Sequence, residues 1–156
     1  MITKIISGGQ TGADQGGLEA GRLLGLETGG TAPYNWMTED GPRQELLESY
    51  ELVAGPYDLK TYPLRTVLNV ESSDGTVWFG NPYSPGGRLT MNTATKEQKP
   101  YLINPDPEGL SDWIEQNAIG VLNVAGNRES KNPGISARTI AVIQGALLVR
   151  QSRADS

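Results

Sequence analysis

Short apolar runs alternate along this chain with stretches of helical spacing. Residues 2–7 form a run rich in β-branched side chains, which predicts a strand. From Ala13 onward the apolar and small residues share one helix face, and this spacing predicts a helix that ends near Gly25.

The same alternation continues to the last third of the chain. Residues 26–45 have the Gly, Pro and Asp density of a loop with a short strand at its start, followed by a helical turn and a brief extended piece. The pattern further predicts strands over residues 75–80, 101–105 and 120–126, and helices over 65–71, over 89–98, from about Ser111 or Asp112, and over 133–151.

Repeated strand–helix alternation is typical of one architecture. It predicts an α/β, Rossmann-like fold, a mostly parallel sheet with helices on both faces. The length of 156 residues fits a single domain, which we expect over residues 1–152. Residues 153–156 are expected to fray.

Composition narrows the chemistry that this domain can perform. The chain has no cysteine and no histidine, which excludes disulfides, a thiol nucleophile, a Ser-His-Asp triad and a conventional zinc site. A net charge of −5 argues against broad binding to nucleic acid or anionic membranes. With no apolar segment of membrane-spanning length, we expect a cytoplasmic protein without a nucleic-acid or membrane partner.

Three glycine-rich segments follow predicted strands and precede predicted helices. In an open α/β sheet these junctions lie at the carboxyl ends of the strands, where ligands bind. Glycine lets the backbone approach a ligand closely, and free N–H groups at a helix start bind anions. One such loop is equally well explained as a tight connection, whereas three at one sheet edge favour a ligand with a phosphate or a similar group.

The predicted ligand-binding residues belong mainly to these three loops. They are Gly8, Gly9, Gln10, Thr11, Gly12 and Asp14 in the first loop, Gly86, Gly87, Arg88 and Thr90 in the second, and Asn127, Arg128, Glu129 and Ser130 in the third. Asp74 is a further candidate, either for a ribose or as part of an Asp-Gly turn.

The same loops carry a family resemblance. The segments IISGGQTGADQGGLEAG, RTVLNVESSDGTVWF, PGGRLTMNTA and LNVAGNRES with PGI resemble the putative molybdenum carrier family. That family is the circularly permuted YpsA branch of the SLOG superfamily, related to the LOG-type lysine decarboxylase-like proteins. The resemblance implies a SLOG-type Rossmann domain from about Ile5 to the final helix. SLOG domains include nucleotide enzymes, cofactor carriers and sensors of nucleotide signals.

One family motif departs from the catalytic pattern. The LOG phosphoribohydrolases carry PGGxGTxxE, whose acid takes part in glycosidic cleavage. Here Leu89 replaces the inner glycine and Thr93 stands at the position of the acid. We therefore predict no catalytic residue and no metal ligand. Asn127 also stands where the family often has proline.

Several further residues have two interpretations. Asp14 and Glu19 are the carboxylates nearest the first loop, but glycosidic chemistry needs a carboxyl pair at a defined separation. Arg65 and Asn69 either reach the cleft from one helix face or take part in a salt bridge at the surface or to a neighbouring subunit. Tyr34, Trp36 and Met37 either stack on a ligand ring or pack within their loop. Of Trp78 and Phe79, one is expected in the core.

These observations predict a non-catalytic binding protein. It would sequester, carry or sense a small phosphorylated, nucleotide-derived ligand such as an ADP-ribose-type or cyclic nucleotide signal, with a sponge for a defence signal as one version. The alternatives are a carrier of molybdenum cofactor or molybdate and an enzyme that cleaves an N-glycosidic or phosphoester bond. We also expect a homo-oligomer, a dimer or tetramer, formed through apolar residues of the final helix: Ile140, Ile143, Leu147 and Leu148.

Overall fold

The computed structural model describes residues 1–57 and 61–155. The chain alternates strands and helices as the sequence pattern predicts. The elements are β1 (Lys4–Ile6), α1 (Ala13–Leu23), β2 (Glu27–Ala32), β3 (Met37–Thr38), β4 (Gly41–Pro42), α2 (Gln44–Ser49), β5 (Leu52–Ala54), α3 (Thr61–Glu71), β6 (Gly75–Phe79), α4 (Pro85–Lys96), β7 (Tyr101–Ile103), α5 (Pro107–Gln116), β8 (Val121–Gly126) and α6 (Ile135–Ala154).

Six of the strands form one parallel sheet. Their order is β5-β2-β1-β8-β6-β7, and each neighbouring pair runs parallel. From β1 the chain winds outward through β2 to β5, whereas from β6 it winds in the opposite direction to β7. The short strands β3 and β4 form a separate antiparallel hairpin.

Helices cover both faces of the sheet, which confirms the predicted α/β Rossmann-like class. Helices α1, α5 and α6 pack against one another on one face, and α3 packs with α4 on the other. The main apolar core lies beneath the first group. Its largest fully buried members are Ile5, Val77, Phe79, Leu110, Ile114, Ile119, Leu122, Ile135 and Ile143.

The opposite sheet face is polar at its centre. Side chains alternate along β6, so Val77 and Phe79 enter the main core while Thr76 and Trp78 lie beneath α3 and α4. In β8 the same alternation places Asn123 on this second face, where its Nδ2 donates to Thr76 Oγ1 over 3.1 Å. Hydrogen-bonding groups are therefore buried beneath the carboxyl ends of the two strands.

Helices α4 and α5 begin earlier than the apolar spacing predicts. Ser84 Oγ accepts the N–H of Gly87 over 3.2 Å, and Asp106 Oδ1 accepts the N–H of Gly109 over 2.7 Å. Each capping residue is followed by a proline at the first helical position. The predicted starts at residue 89 and near residue 111 were wrong because apolar spacing does not register these polar first turns.

Most of the apolar residues of the last helix that were expected to support self-association pack within the protein itself. Ile143 is buried in the main core, and Ile140 and Leu147 pack against that core. Leu148 remains exposed. Helix α6 continues through Ala154, into the tail that was expected to fray, and Ser156 lies outside the described residues. Self-association stays a prediction.

In the described parts of the chain, no helix combines the length and the apolar character that a membrane span requires.

Candidate functional site

A crevice opens at the carboxyl ends of β6 and β8. The chain leaves β6 for α4 on one sheet face and leaves β8 for α6 on the other, so the two segments diverge at this point. Such a divergence is where open α/β sheets bind ligands. An inner cavity of about 80 Å³ and an outer cavity of about 430 Å³ adjoin in this crevice and share Trp78, Gly86 and Gly126.

The inner cavity holds one pair of opposite charges. Arg65 Nη1 lies 3.6 Å from Asp14 Oδ2, and the exposed fractions of the two side chains are 15% and 10%. Arg65 also donates to the carbonyl oxygen of Gly8 over 3.0 Å. The other lining residues are Thr66 and Asn69 from α3, Thr90 from α4, and Asn123 and Ala125 from β8, besides the three that both cavities share.

The Asp14 carboxyl titrates well above its ordinary range. Burial raises the pKa of Asp14 from 3.8 to about 6, and the Arg65 guanidinium and the N–H groups of Gln10 and Gly8 only partly offset this rise. At neutral pH the group is therefore mainly a carboxylate. It faces the guanidinium of Arg65, so the charges of the inner cavity largely cancel.

The first loop directs most of its N–H groups toward the protein itself. The Gln10 N–H donates to Asp14 Oδ2 over 3.2 Å, and the Gly9 N–H donates to Ser7 Oγ over 3.3 Å. The Thr11 N–H donates to Gln10 Oε1 over 3.0 Å. Of the predicted residues in this loop, the inner cavity contains Gly8 and Asp14, which makes Asp14 the main side-chain contribution of the loop.

The second predicted segment forms the first turn of α4, and its glycines differ in role. Gly86 lines both cavities, and a Cβ built on it would meet Trp78 at 3.8 Å, an ordinary contact. A Cβ on Gly87 would instead collide with the carbonyl group of Pro82. Thr90 faces the inner cavity, while Arg88 is exposed and lies outside the lining of both cavities.

The third segment supplies the cations of the outer cavity. Arg128 and Lys131 line it together with Asn127, opposite the first turn of α4. Asn127 Oδ1 accepts the N–H of Asn81 over 2.7 Å, which ties the third loop to the segment that follows β6. Arg128 and Asn127 were predicted from the sequence. Lys131, Asn81 and Ser84 were missed, because a solvent-facing lysine and two turn residues carry no distinctive pattern.

Glu129 occupies the amino terminus of α6. Its carboxylate accepts the N–H of Gly134 over 2.6 Å and that of Ser136 over 3.0 Å. These are the N–H groups that an external anion would use at a helix start. Glu129 thus serves as an internal anion at this helix start, and the predicted residues of the third loop that line the outer cavity are Asn127 and Arg128.

Glu39 joins the β3–β4 hairpin to the first and third loops. Its carboxylate accepts from the hydroxyls of Thr11 and Ser130 and from the Ser130 N–H over 3.1 Å. These hydrogen bonds lower the pKa of Glu39 below its ordinary value. Thr11, Gly12, Glu129 and Ser130 line a separate cavity of about 780 Å³ beside α6, outside the crevice.

Asp74 lies at the opposite edge of the sheet. Its Oδ2 accepts the N–H of Gly120 over 2.9 Å and that of Val121 over 2.7 Å, where β8 begins. The structure therefore does not bring Asp74 to the crevice. Its contacts fit the turn interpretation, with the carboxylate holding the starts of two neighbouring strands together.

Four further candidates of the sequence also lie outside both cavities: Glu19, Tyr34, Trp36 and Met37. Glu19 bonds Arg22 and Tyr50, and Tyr50 Oη donates over 2.5 Å. Trp36 packs against a small core cluster around Leu47. The ring of Tyr34 meets that of Tyr57 edge-on at 4.7 Å between centroids.

Trp78 is the aromatic side chain that the crevice does contain. It lines both cavities and is 3% exposed. Its indole Nε1 is buried and has no hydrogen-bond partner among the described residues. A buried donor without a partner is uncommon, which makes the indole N–H a candidate contact for a bound molecule.

Comparisons with known proteins agree with this fold. A model of the circularly permutated YpsA SLOG family matches residues 5–147. A crystal structure of a putative molybdenum carrier protein from Syntrophus aciditrophicus SB is similar to this chain, with a TM-score of 0.83 and 34% sequence identity over 94% of this chain and 95% of that one. The comparison with curated proteins gave no significant match.

Proposed function

This chain belongs to the circularly permutated YpsA SLOG family, and we propose that it binds a small phosphorylated, nucleotide-derived ligand in the crevice between β6 and β8. The protein would sequester, carry or sense this ligand without transforming it. The observation that carries the proposal is the outer cavity, where Arg128 and Lys131 face the first turn of α4.

A phosphate fits the chemistry of this outer cavity. The amino terminus of a helix carries a partial positive charge, and charge-assisted hydrogen bonds from Arg and Lys strengthen an anion site there. In the first turn of α4, Pro85 has no N–H and the Gly87 N–H bonds Ser84, so the Gly86 N–H is the donor left for a ligand. The two cations stand on one side and α4 on the other, so a bound phosphate would contact both. The overall acidity of the chain does not oppose this, since local groups set the potential within a cleft.

The α4 helix also supports a non-catalytic role. Thr93 stands at the position of the acid in the LOG phosphoribohydrolases, and its hydroxyl donates to the Leu89 carbonyl oxygen over 2.7 Å. Thr93 is outside the lining of both cavities. The crevice therefore has Asp14 as its one lining carboxylate among the described residues, whereas glycosidic cleavage commonly uses a carboxyl pair.

The test is a search for bound nucleotides followed by titration. Small molecules released by denaturing freshly purified protein are identified by mass spectrometry, and ADP-ribose, AMP and cyclic AMP are then titrated by calorimetry. We expect Lys131→Glu to weaken binding of the best nucleotide at least tenfold, given about 1.5–3 kcal/mol for a hydrogen bond to a charged group. Arg138→Glu is the matched control, because it makes the same charge change on α6 at an exposed residue outside both cavities.

Three outcomes decide the proposal. A nucleotide in the released fraction, with affinity reduced in the Lys131 variant alone, supports it. Equal weakening in both variants would show only a long-range charge effect. No measurable binding of any nucleotide, by wild-type protein that is folded by circular dichroism, would refute it.

Molybdenum cofactor carriage is the second candidate, and the name of the Syntrophus aciditrophicus protein favours it. The outer cavity would hold the phosphate of the pterin. No group of three or more potential ligands suited to a metal ion occurs within residues 1–57 and 61–155, so recognition would rest on the phosphate and the pterin. Molybdenum and pterin, quantified in protein from a host that makes the cofactor, test this candidate, and their consistent absence would count against it.

A further inference from the structure

We propose that the inner cavity receives a neutral group of the ligand that donates hydrogen bonds, namely the vicinal hydroxyls of a pentose, while the phosphate stays in the outer cavity. This inference rests on the proposed function and specifies the class of ligand. It excludes bare oxyanions, including phosphate and molybdate, from the inner cavity.

The charges of the inner cavity do not favour an anion. Arg65 is its one cationic lining residue among those described, and Asp14 lies 3.6 Å from it. An oxyanion placed beside Arg65 would also stand close to the Asp14 carboxylate in a site removed from solvent, where like charges repel strongly. A neutral group avoids this repulsion.

The hydrogen-bond inventory of the lining favours a donor. The Thr90 hydroxyl donates to the Gly86 carbonyl oxygen over 2.8 Å, which leaves its oxygen able to accept. Asn123 donates one of the two N–H groups of Nδ2 to Thr76, and its Oδ1 is a further acceptor. Asp14 is a further acceptor with capacity beyond the backbone N–H groups that it binds.

Some donors of the lining bond the protein itself. Arg65 Nη1 donates to the Gly8 carbonyl oxygen, and the side-chain amide of Asn69 pairs with both backbone groups of Thr31, at 2.8 and 3.0 Å. Trp78 contributes the one indole N–H. A molybdate dianion only accepts hydrogen bonds and a phosphate dianion has one hydroxyl to donate, whereas each hydroxyl of a diol both donates and accepts, so a diol matches this surface better.

The size of the inner cavity sets the scale of this group. About 80 Å³ offers room for roughly five to eight water-sized groups. The hydroxyl edge of a pentose fits this space, whereas a nucleobase needs the larger outer cavity. Of the two cavities, the larger also holds the cations, so a nucleotide would enter with its sugar edge inward.

The experiment compares ligands that differ by one hydroxyl. AMP, 2′-deoxy-AMP, 3′-deoxy-AMP, inorganic phosphate and molybdate are titrated into wild-type protein by calorimetry at pH 7.5. Removal of one hydroxyl is expected to reduce the affinity at least tenfold, because a site built to bond a hydroxyl leaves its polar groups unpaired with the analogue. The two inorganic anions are expected to bind at least tenfold more weakly than AMP.

A pair of threonine variants localises the effect. Thr90→Val removes the oxygen that faces the inner cavity, and Thr93→Val is the matched control, since its hydroxyl makes the same bond to the carbonyl four residues earlier in α4, outside both cavities. Thr90→Val is expected to weaken AMP binding about tenfold and to reduce the discrimination between AMP and at least one deoxy analogue. Thr93→Val is expected to leave both affinities unchanged.

The outcomes separate this inference from the function on which it rests. Equal affinity for AMP and both deoxy analogues, or phosphate binding as tight as AMP binding, would overturn the inference and leave phosphate binding intact. Failure of the wild-type protein to bind any of the nucleotides would count against both proposals. Loss of discrimination in Thr90→Val but not in Thr93→Val would establish the contact at the inner cavity.

Discussion

Gly86 offers a direct way to close the crevice without disturbing the fold. It lies in the first turn of α4, lines both cavities and has space for a Cβ, with Trp78 at 3.8 Å as the nearest side chain. Gly86→Leu would place four carbon atoms in or beside an inner cavity that has room for roughly five to eight water-sized groups. We therefore expect this variant to lose at least tenfold in ligand affinity.

The stability of the Gly86 variant should move in the opposite direction. Replacing a helical glycine by a helix-forming residue stabilises a helix by up to about 1 kcal/mol, because the unfolded chain loses conformational freedom. For a chain of this size, about 1 kcal/mol corresponds to a rise in Tm of roughly 2–4 °C. Calorimetric titration with the best-binding nucleotide and thermal unfolding by circular dichroism measure the two effects on the same preparation.

Gly87→Ala is the contrasting variant one residue away. Its Cβ would collide with the backbone carbonyl of Pro82, so the segment between β6 and α4 would have to shift. We expect a loss of about 1–3 kcal/mol in unfolding free energy.

A Gly86→Leu protein that binds ligand as tightly as wild type would refute the assignment of the crevice, and one that melts well below wild type would refute the free space inferred at Gly86.

Two further predictions concern carboxylates. The pKa of Asp14 is raised from 3.8 to about 6, so its contribution to stability is complete below pH 4 and is lost as the pH rises through about 6. The unfolding free energy of Asp14→Asn, taken relative to that of wild type, should therefore rise by on the order of 3 kcal/mol between pH 4 and pH 7. Urea unfolding at the two pH values measures this difference, and a difference that does not change with pH would contradict the raised pKa. Glu129→Ala should lower the unfolding free energy by about 1 kcal/mol, because the N–H groups of Gly134 and Ser136 lose their acceptor at the start of α6. Glu129→Gln should retain part of this stabilisation. Equal stability of wild type and both variants in urea would show that these hydrogen bonds contribute nothing.

The sequence predicted the architecture because the relevant signals are local. The β-branched run before Ala13 and the helical spacing after it are sufficient to place β1 and α1, and the repeated alternation implies parallel strands. Parallel strands align their carboxyl ends at one edge, so the approximate position of the site also followed from the order of elements.

The composition of the site was only partly predictable, because it depends on side-chain direction. Glycine content does not show that the first loop turns its N–H groups toward Asp14 or that Glu129 fills the amino terminus of α6. Trp78 was ambiguous in the sequence, since period-two alternation identifies two faces of β6 without telling which one is apolar. The charge pair of Asp14 and Arg65 joins elements that are distant along the chain, which spacing cannot reveal.

The pairing of β1 with β8 has a consequence for the order of folding. Thr3 and Gly120 are 117 positions apart, yet the Thr3 N–H bonds the Gly120 carbonyl oxygen over 2.8 Å where these central strands begin. During synthesis, one edge of β1 and one edge of β6 would therefore remain unpaired until β8 has left the ribosome. Contacts of such long sequence separation slow folding. We therefore expect the nascent chain to depend on chaperones until β8 inserts between β1 and β6, more than a chain whose strands pair in sequential order.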